Sequence, residues 1–142
     1  MTPVAIVEGL HMRLLSPMLF ACLAFAPAAL AYDCADQTQP GLDQCADAAF
    51  KRADAALNGV YREITRSLKD DPKTTKLLVA TQKAWIAFRD SECAFSVSAN
   101  EGGSIYPMVY SLCLAEVTKA RTKRLEAYLK CADDTGCPVS GQ

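Results

Sequence analysis

Six cysteines, Cys34, Cys45, Cys93, Cys113, Cys131 and Cys137, follow an apolar leader, and no histidine accompanies them, because the chain's one histidine is His11. An even set of sulfurs behind an export signal predicts a disulfide framework built in an oxidising compartment. It also narrows the chemistry. Without an imidazole, the common routes to nucleophilic, zinc and general acid/base catalysis are missing. The expectation is an exported binding domain with no catalytic residues and no cofactor.

The leader reading covers residues 1–31. Arg13 precedes an almost wholly apolar run from Leu14 to Ala26, and Ala29-Leu30-Ala31 is the small-x-small pattern that a signal peptidase accepts. Translation is expected to start at Met12, since Met1 to His11 adds an uncharacteristic extension carrying Glu8. Cleavage after Ala31 leaves a domain over 32–142. Pro17 and Pro27 interrupt the run, which is shorter than the ~20 residues needed to span a bilayer, so stable membrane insertion is not expected. Leu19-Phe20-Ala21-Cys22 departs from a lipidation box at Phe20, and the apolar run continues past Cys22, which argues against a lipid anchor. The expected location is the periplasm or the medium.

The formal net charge is −1, and the leader removes one acidic and one basic residue, so the balance persists in the remainder. No basic stripe marks a nucleic-acid partner. Helical periodicity organises the rest. A first helix is expected from near Pro40 to about Leu68, with Leu42, Cys45, Ala46, Ala49, Phe50, Ala53, Leu57, Val60, Tyr61, Ile64 and Leu68 on one face. A second starts sharply at Asp71-Pro72, carboxylate cap followed by a fixed φ, with an apolar line through Leu77, Leu78, Thr81, Ala84, Trp85, Phe88 and Phe95. Trp85 and Phe88 are expected to pack in the core. The Asn100-Glu101-Gly102-Gly103-Ser104 turn breaks the pattern, and a third helix runs from near Tyr106-Pro107 to about Lys130. Short connections make neighbours antiparallel, so the expected fold is all-α, a disulfide-stapled antiparallel three-helix bundle.

That arrangement brings Cys93, before the glycine turn, level with Cys113 after it, and favours their pairing. Cys131 and Cys137 flank the polar stretch Ala132-Asp133-Asp134-Thr135-Gly136 and close locally, which leaves Cys34 with Cys45. Six cysteines permit fifteen connectivities, and spacing alone does not select one. No C-x-x-C accompanies the sulfurs, so no metal site is expected. Asp133-Asp134 reads as a solvated turn. Asp90 and Glu92 stand two apart and face different directions on a helix, which argues against a glycosidase pair.

Four blocks are more specific. Asp54 to Tyr61 (DAALNGVY), Gln82 to Cys93 (QKAWIAFRDSEC), Gly102-Gly103-Ser104, and Cys113 to Arg121 (CLAEVTKAR) resemble, in this order, the family built on the N-terminal domain of the LprI-type lysozyme inhibitor. The resemblance spans about Cys34 to Tyr128. Thr81 stands where alanine is expected, and Cys131 with Cys137 adds to the common pattern. The resemblance implies a small exported helical protein with disulfides, and lysozyme as its protein partner. The alternative is an envelope structural or interaction protein without lysozyme contact.

Within these blocks, Asp54, Trp85, Arg89, Asp90 and Arg121 form the structural motif. Arg121 follows Val117 by one turn and sits against the bundle seam, where opposite charges pair and set helix register; an anion or partner site is the other reading. Asn58 and Tyr61 read as polar edge contacts. For partner binding the expected residues are Gly102, Gly103, Ser104 and Tyr106, a flexible turn with small hydrogen-bonding groups and an aromatic anchor. Glu101 argues against it, because a carboxylate is repelled by an acidic enzyme cleft.

Overall fold

The computed structural model describes residues 34–131 and 137–139. The leader reading, with Cys22 in it, and the Asp133-Asp134 turn lie outside those described residues. Thr38 opens the first helix, α1 (Gln39–Ser67), by accepting the Gly41 amide at 3.3 Å, and Pro40 occupies the first turn, where its missing N–H removes no bond. Leu68 closes it, its N–H donating to Ile64 O at 3.0 Å. Asp71 then caps α2 (Pro72–Ser96) by accepting the Thr74 amide at 2.9 Å. Hydrogen bonding to Thr74 holds the Asp71 carboxyl below its ordinary value. A short 3-10 turn, Ser98–Asn100, leads through the glycines to α3 (Tyr106–Leu129). The expected helices are found within a residue of their expected ends.

α1 and α3 lie side by side and parallel, and α2 returns between their levels antiparallel to both. Small residues make the close pairing of α1 and α3 possible. Ala46 and Ala53 on α1 and Ala115, Thr118 and Thr122 on α3 are all buried, so the two backbones approach without bulky side chains to hold them apart. Larger residues fill the seam nearer the C-terminal ends, where Leu57, Ile64, Leu68 and Leu125 form the core cluster. Burial of each of these stabilises by roughly 1.5–3 kcal/mol. Thr122 satisfies its hydroxyl by donating to Thr118 O at 2.9 Å.

α2 joins this pair through a different face from the one its apolar line suggests. Leu78, Gln82, Trp85, Arg89 and Cys93, spaced by four, three, four and four residues, turn inward. Phe88 and Phe95 do not belong to the core: they are 56% and 78% exposed, as Leu77 is at 60%. The cause is rotation. One residue along a helix is about 100° around it, and the inward face is set by Cys93, bridged to α3, and by Arg89, which reaches α1. The line Leu77, Ala84, Phe88, Phe95 is one residue out of phase with them and faces water.

All three expected bridges are formed. Cys34–Cys45 ties the N-terminal arm to α1, Cys93–Cys113 joins α2 to α3, and Cys131–Cys137 closes a short loop, with Cα–Cα distances of 5.5, 5.6 and 5.7 Å. Among the described residues, no helix is long and apolar enough to cross a membrane. Replacing Cys93 and Cys113 together by serine should cost about 3 kcal/mol from loop-closure entropy, against roughly 2 kcal/mol for the shorter Cys131–Cys137 loop. Urea melts of the oxidised variants measure both, and a loss below about 1 kcal/mol for the first pair would contradict its role as the α2–α3 staple.

Candidate functional site

Arg89 is a guanidinium with only 8% of its residue surface exposed, and the chain surrounds it from two helices. Its Nε and Nη2 donate to Asp90 Oδ1, both at 2.8 Å, and Nη1 lies 3.8 Å from Asp54 Oδ1 on α1. The guanidinium carbon stands 5.1 Å from the Phe50 ring centroid and 5.3 Å from that of Trp85. A planar cation can use both its edge for hydrogen bonds and its faces for aromatic rings. Asp54 is itself oriented by Asn58, whose Nδ2 donates to Oδ2 at 2.8 Å. Arg89 is thus ion-paired with Asp54 and Asp90, and Trp85 packs partly buried against the core cluster.

Arg121 is placed in the same group but is paired differently. Its guanidinium carbon lies 5.8 Å from the Trp85 ring centroid, so Trp85 has a cation from α2 and another from α3. Nε of Arg121 donates to Gln82 Oε1 at 3.2 Å. The expected carboxylate partner is absent among the described residues, and Nη2 is buried with no hydrogen-bond partner. Desolvation lowers the Arg121 pKa from its ordinary value; Tyr128 acts against that shift and Arg124 adds to it. Arg121 also lines a cleft of about 180 Å³ between the first half of α2 and the C-terminal ends of α1 and α3.

Sequence reasoning missed Phe50 and Gln82 as members of this group. Spacing was the available signal: Phe50 precedes Asp54 by one turn of α1, and Gln82 precedes Trp85 by three residues and Arg89 by seven on α2. Among the described residues, no group of three or more potential ligands gathers to hold a metal ion.

The turn Gly102, Gly103, Ser104, Tyr106 lies at the end of the bundle where α2 passes into α3, next to the Arg89 end of the arginine group. Gly102 has φ +76°, a conformation that glycine adopts without a Cβ clash. The amide of Gly103 donates to Asn100 O at 2.9 Å and that of Tyr106 to Gly103 O at 3.2 Å. Residues 101–105 are exposed. Tyr106 is half-buried and stacks on Tyr110 one helical turn later, with centroids 5.7 Å apart and planes 9° from parallel. The Tyr110 hydroxyl donates in turn to Asp90 O at 3.5 Å. Below the turn, the Cys93–Cys113 bridge fixes its base. The result is a short exposed loop with a disulfide and a ring stack at its base.

Arg89→Ala should cost about 3 kcal/mol, the low end for breaking a buried ion pair, because the Asp54 and Asp90 side chains are 43% and 47% exposed and stay hydrated when left alone. Arg89→Lys should recover less than half of that loss, since an ammonium keeps the charge but cannot bridge both carboxylates and both rings. Full recovery in a denaturant melt would show that charge alone suffices.

The sequence profile of the family Lysozyme inhibitor LprI matches residues 33–125, a span that contains all three helices up to the core residue Leu125 and every residue of the arginine group. Among curated proteins, an uncharacterized protein of Rhizobium meliloti (strain 1021) is 33% identical over 108 residues, covering 68% of this chain and 78% of the relative. The uncharacterized protein YecT of Escherichia coli (strain K12) is 29% identical over 113 residues, covering 70% and 69%. No solved structure matches. With the four sequence blocks folded into one bundle and the profile covering them all, this chain belongs to the LprI lysozyme inhibitor family.

Proposed function

We propose that this protein is an exported inhibitor that binds lysozyme and occludes its active-site cleft with the turn from Glu101 to Tyr106, residues 1–31 serving as the signal peptide. Membership of the LprI family is the observation that carries the reading, and three disulfides are consistent with a life outside the cytoplasm. Lysozyme cleaves its substrate with two carboxyl groups at the bottom of a concave cleft. A plug for that cleft needs to be exposed, to offer donors and to arrive already ordered, because ordering a loop on binding subtracts from affinity. The turn has these properties. The amides of Gly102 and Ser104 are not used in the turn's own bonds, Ser104 carries a hydroxyl, and the Tyr106–Tyr110 stack and the disulfide beneath limit its motion. Glu101 is exposed beside them and belongs at the rim, facing cationic enzyme surface.

A second reading, an envelope interaction protein without lysozyme contact, is favoured by the apolar line on α2. Leu77, Ala84, Phe88 and Phe95 follow helix-packing spacing on an exposed face, and monomeric proteins rarely leave such a face without use.

One inhibition assay separates the two. Protein recovered from the periplasm, with an intact mass that begins at Tyr32 and includes three disulfides, is added to lysozyme acting on cell walls. The wild type should inhibit, and Ser104→Ala/Tyr106→Ala should lose about tenfold or more in affinity, the scale expected of an interface hot spot, while its melting temperature stays near the wild-type value. Phe88→Ser should leave inhibition intact. Inhibition that survives in the folded loop variant and is lost in Phe88→Ser moves the contact to α2, and a wild type without effect on lysozymes of several types removes the inhibitor reading.

A further inference from the structure

We propose that the exposed face of α2 pairs with the same face of a second copy of this chain, the two helices running antiparallel, to form a two-fold dimer. The interface is independent of the lysozyme reading. Leu77, Thr81, Ala84, Phe88, Ser91 and Phe95 are spaced by four, three, four, three and four residues, the seam of a left-handed coiled coil. At about 100° per residue the six lie within roughly 80° of arc. All are exposed, and none carries a charge. Leu77, Phe88 and Phe95, at 60%, 56% and 78% exposure, offer roughly 700 Å² from two copies, with a large ring counted at about 200 Å². Thr81, Ala84 and Ser91 raise the total toward the ~1,000 Å² at which a specific interface begins.

The occupant follows from how the seam matches itself in reverse. A two-fold axis level with residue 86 lays Leu77 against Phe95 of the second copy, Thr81 against its Ser91 and Ala84 against its Phe88, and the same pairs recur on the other side of the axis. Each pair is complementary. A large ring meets the space over an alanine, two hydroxyls exchange a hydrogen bond, and leucine meets phenylalanine. Parallel helices would instead set Phe88 on Phe88 and Ala84 on Ala84, overpacked at one level and empty at the other. Charge selects the same direction. The exposed cations Lys73, Lys76 and Lys83 belong to the first half of α2, and the exposed anions Glu92 and Glu101 stand toward its C-terminal end and just beyond. Asp90 is already held by Arg89. Antiparallel helices bring each copy's cations to the levels of the other's anions and oppose their dipoles. An anionic membrane surface would meet Glu92 and Glu101 beside the two phenylalanines and be repelled. The Glu101–Tyr106 turns of the two copies fall at opposite ends of the pair.

The test is sedimentation velocity of the exported, disulfide-bonded protein across a concentration series. The wild type should pass from monomer to dimer with a Kd on the order of 10 µM, in keeping with an interface at the small end of the specific range. Phe88→Glu should remain monomeric throughout. Ala84→Phe sets ring against ring and should weaken the dimer about tenfold. Ala84→Phe/Phe88→Ala again places one large side chain against one small at each of these levels, and should return the Kd to within about threefold of the wild type. This exchange tests the antiparallel register itself, and with the wild type it decides the matter if Phe88→Glu does not fold. Leu112→Ser, at a position 45% exposed on α3, should change nothing. A wild type that stays monomeric, a dimer that survives in folded Phe88→Glu, a dimer lost in folded Leu112→Ser, or a double variant no tighter than Ala84→Phe would each overturn the proposal.

Discussion

A guanidinium withdrawn from water sets the geometry of this domain. Arg89 can be buried only because Asp54 and Asp90 supply counter-charge and Phe50 and Trp85 supply ring faces. Those partners come from α1 and α2, and Trp85 extends the contact to Arg121 on α3. One side chain thus specifies how far α2 stands from the other helices and which of its faces turns inward. Both choices reach the surface. They place Phe88 and Phe95 in solvent, and they bring Cys93 to the position where it meets Cys113.

The close pair α1 and α3 needs no such device. Alanines and threonines let their backbones approach, and Leu57, Ile64 and Leu125 fill what remains. α2 is held at intervals, by a disulfide near its C-terminal end, by Arg89 and Trp85 further along, and by Leu78 beside the cleft. Where the attachment is tight, the Tyr106–Tyr110 stack and the turn above it have a rigid base. Where it is loose, a cleft opens with Arg121 in its wall. Fewer buried contacts also mean a lower local stability, so α2 is the element most able to shift when a partner or ligand arrives.

Much of this fold was legible in the sequence, for local reasons. Thr38 and Asp71 are capping residues followed by proline, and Gly102-Gly103 interrupts two periodic segments; such signals act over a few residues and do not depend on what packs against them. Antiparallel neighbours favoured Cys93 with Cys113, whereas the other two pairs rested on local closure and on what then remained, which spacing alone did not select. The rotation of α2 was not legible, because its apolar residues occupy more than one face and hydrophobicity alone could not choose between Phe88 and Arg89. Long-range chemistry made the choice: a cation on α2 with its carboxylate on α1, and a sulfur with its partner on α3. The same limit applied to Arg121. Its position near the seam was readable from its spacing to Val117, whereas its lack of a carboxylate among the described residues required knowing its neighbours in three dimensions. The turn was readable as a turn, and its rigidity, which rests on Tyr110 and the bridge below, was not.

The central claim, that α2 is clamped by Arg89 onto an independently stable α1–α3 pair, is tested most directly by native-state hydrogen exchange resolved by residue. In the oxidised wild type, amides around Leu57, Ile64, Thr118 and Leu125 should exchange only through global unfolding, and those between Leu77 and Ala84 should open at lower free energy. Arg89→Ala should then strip protection from α2 while α1 and α3 retain nearly all of theirs. Equal protection in all three helices, falling in step when Arg89 is removed, would contradict the claim and make the bundle a single cooperative unit in which Arg89 has no special part.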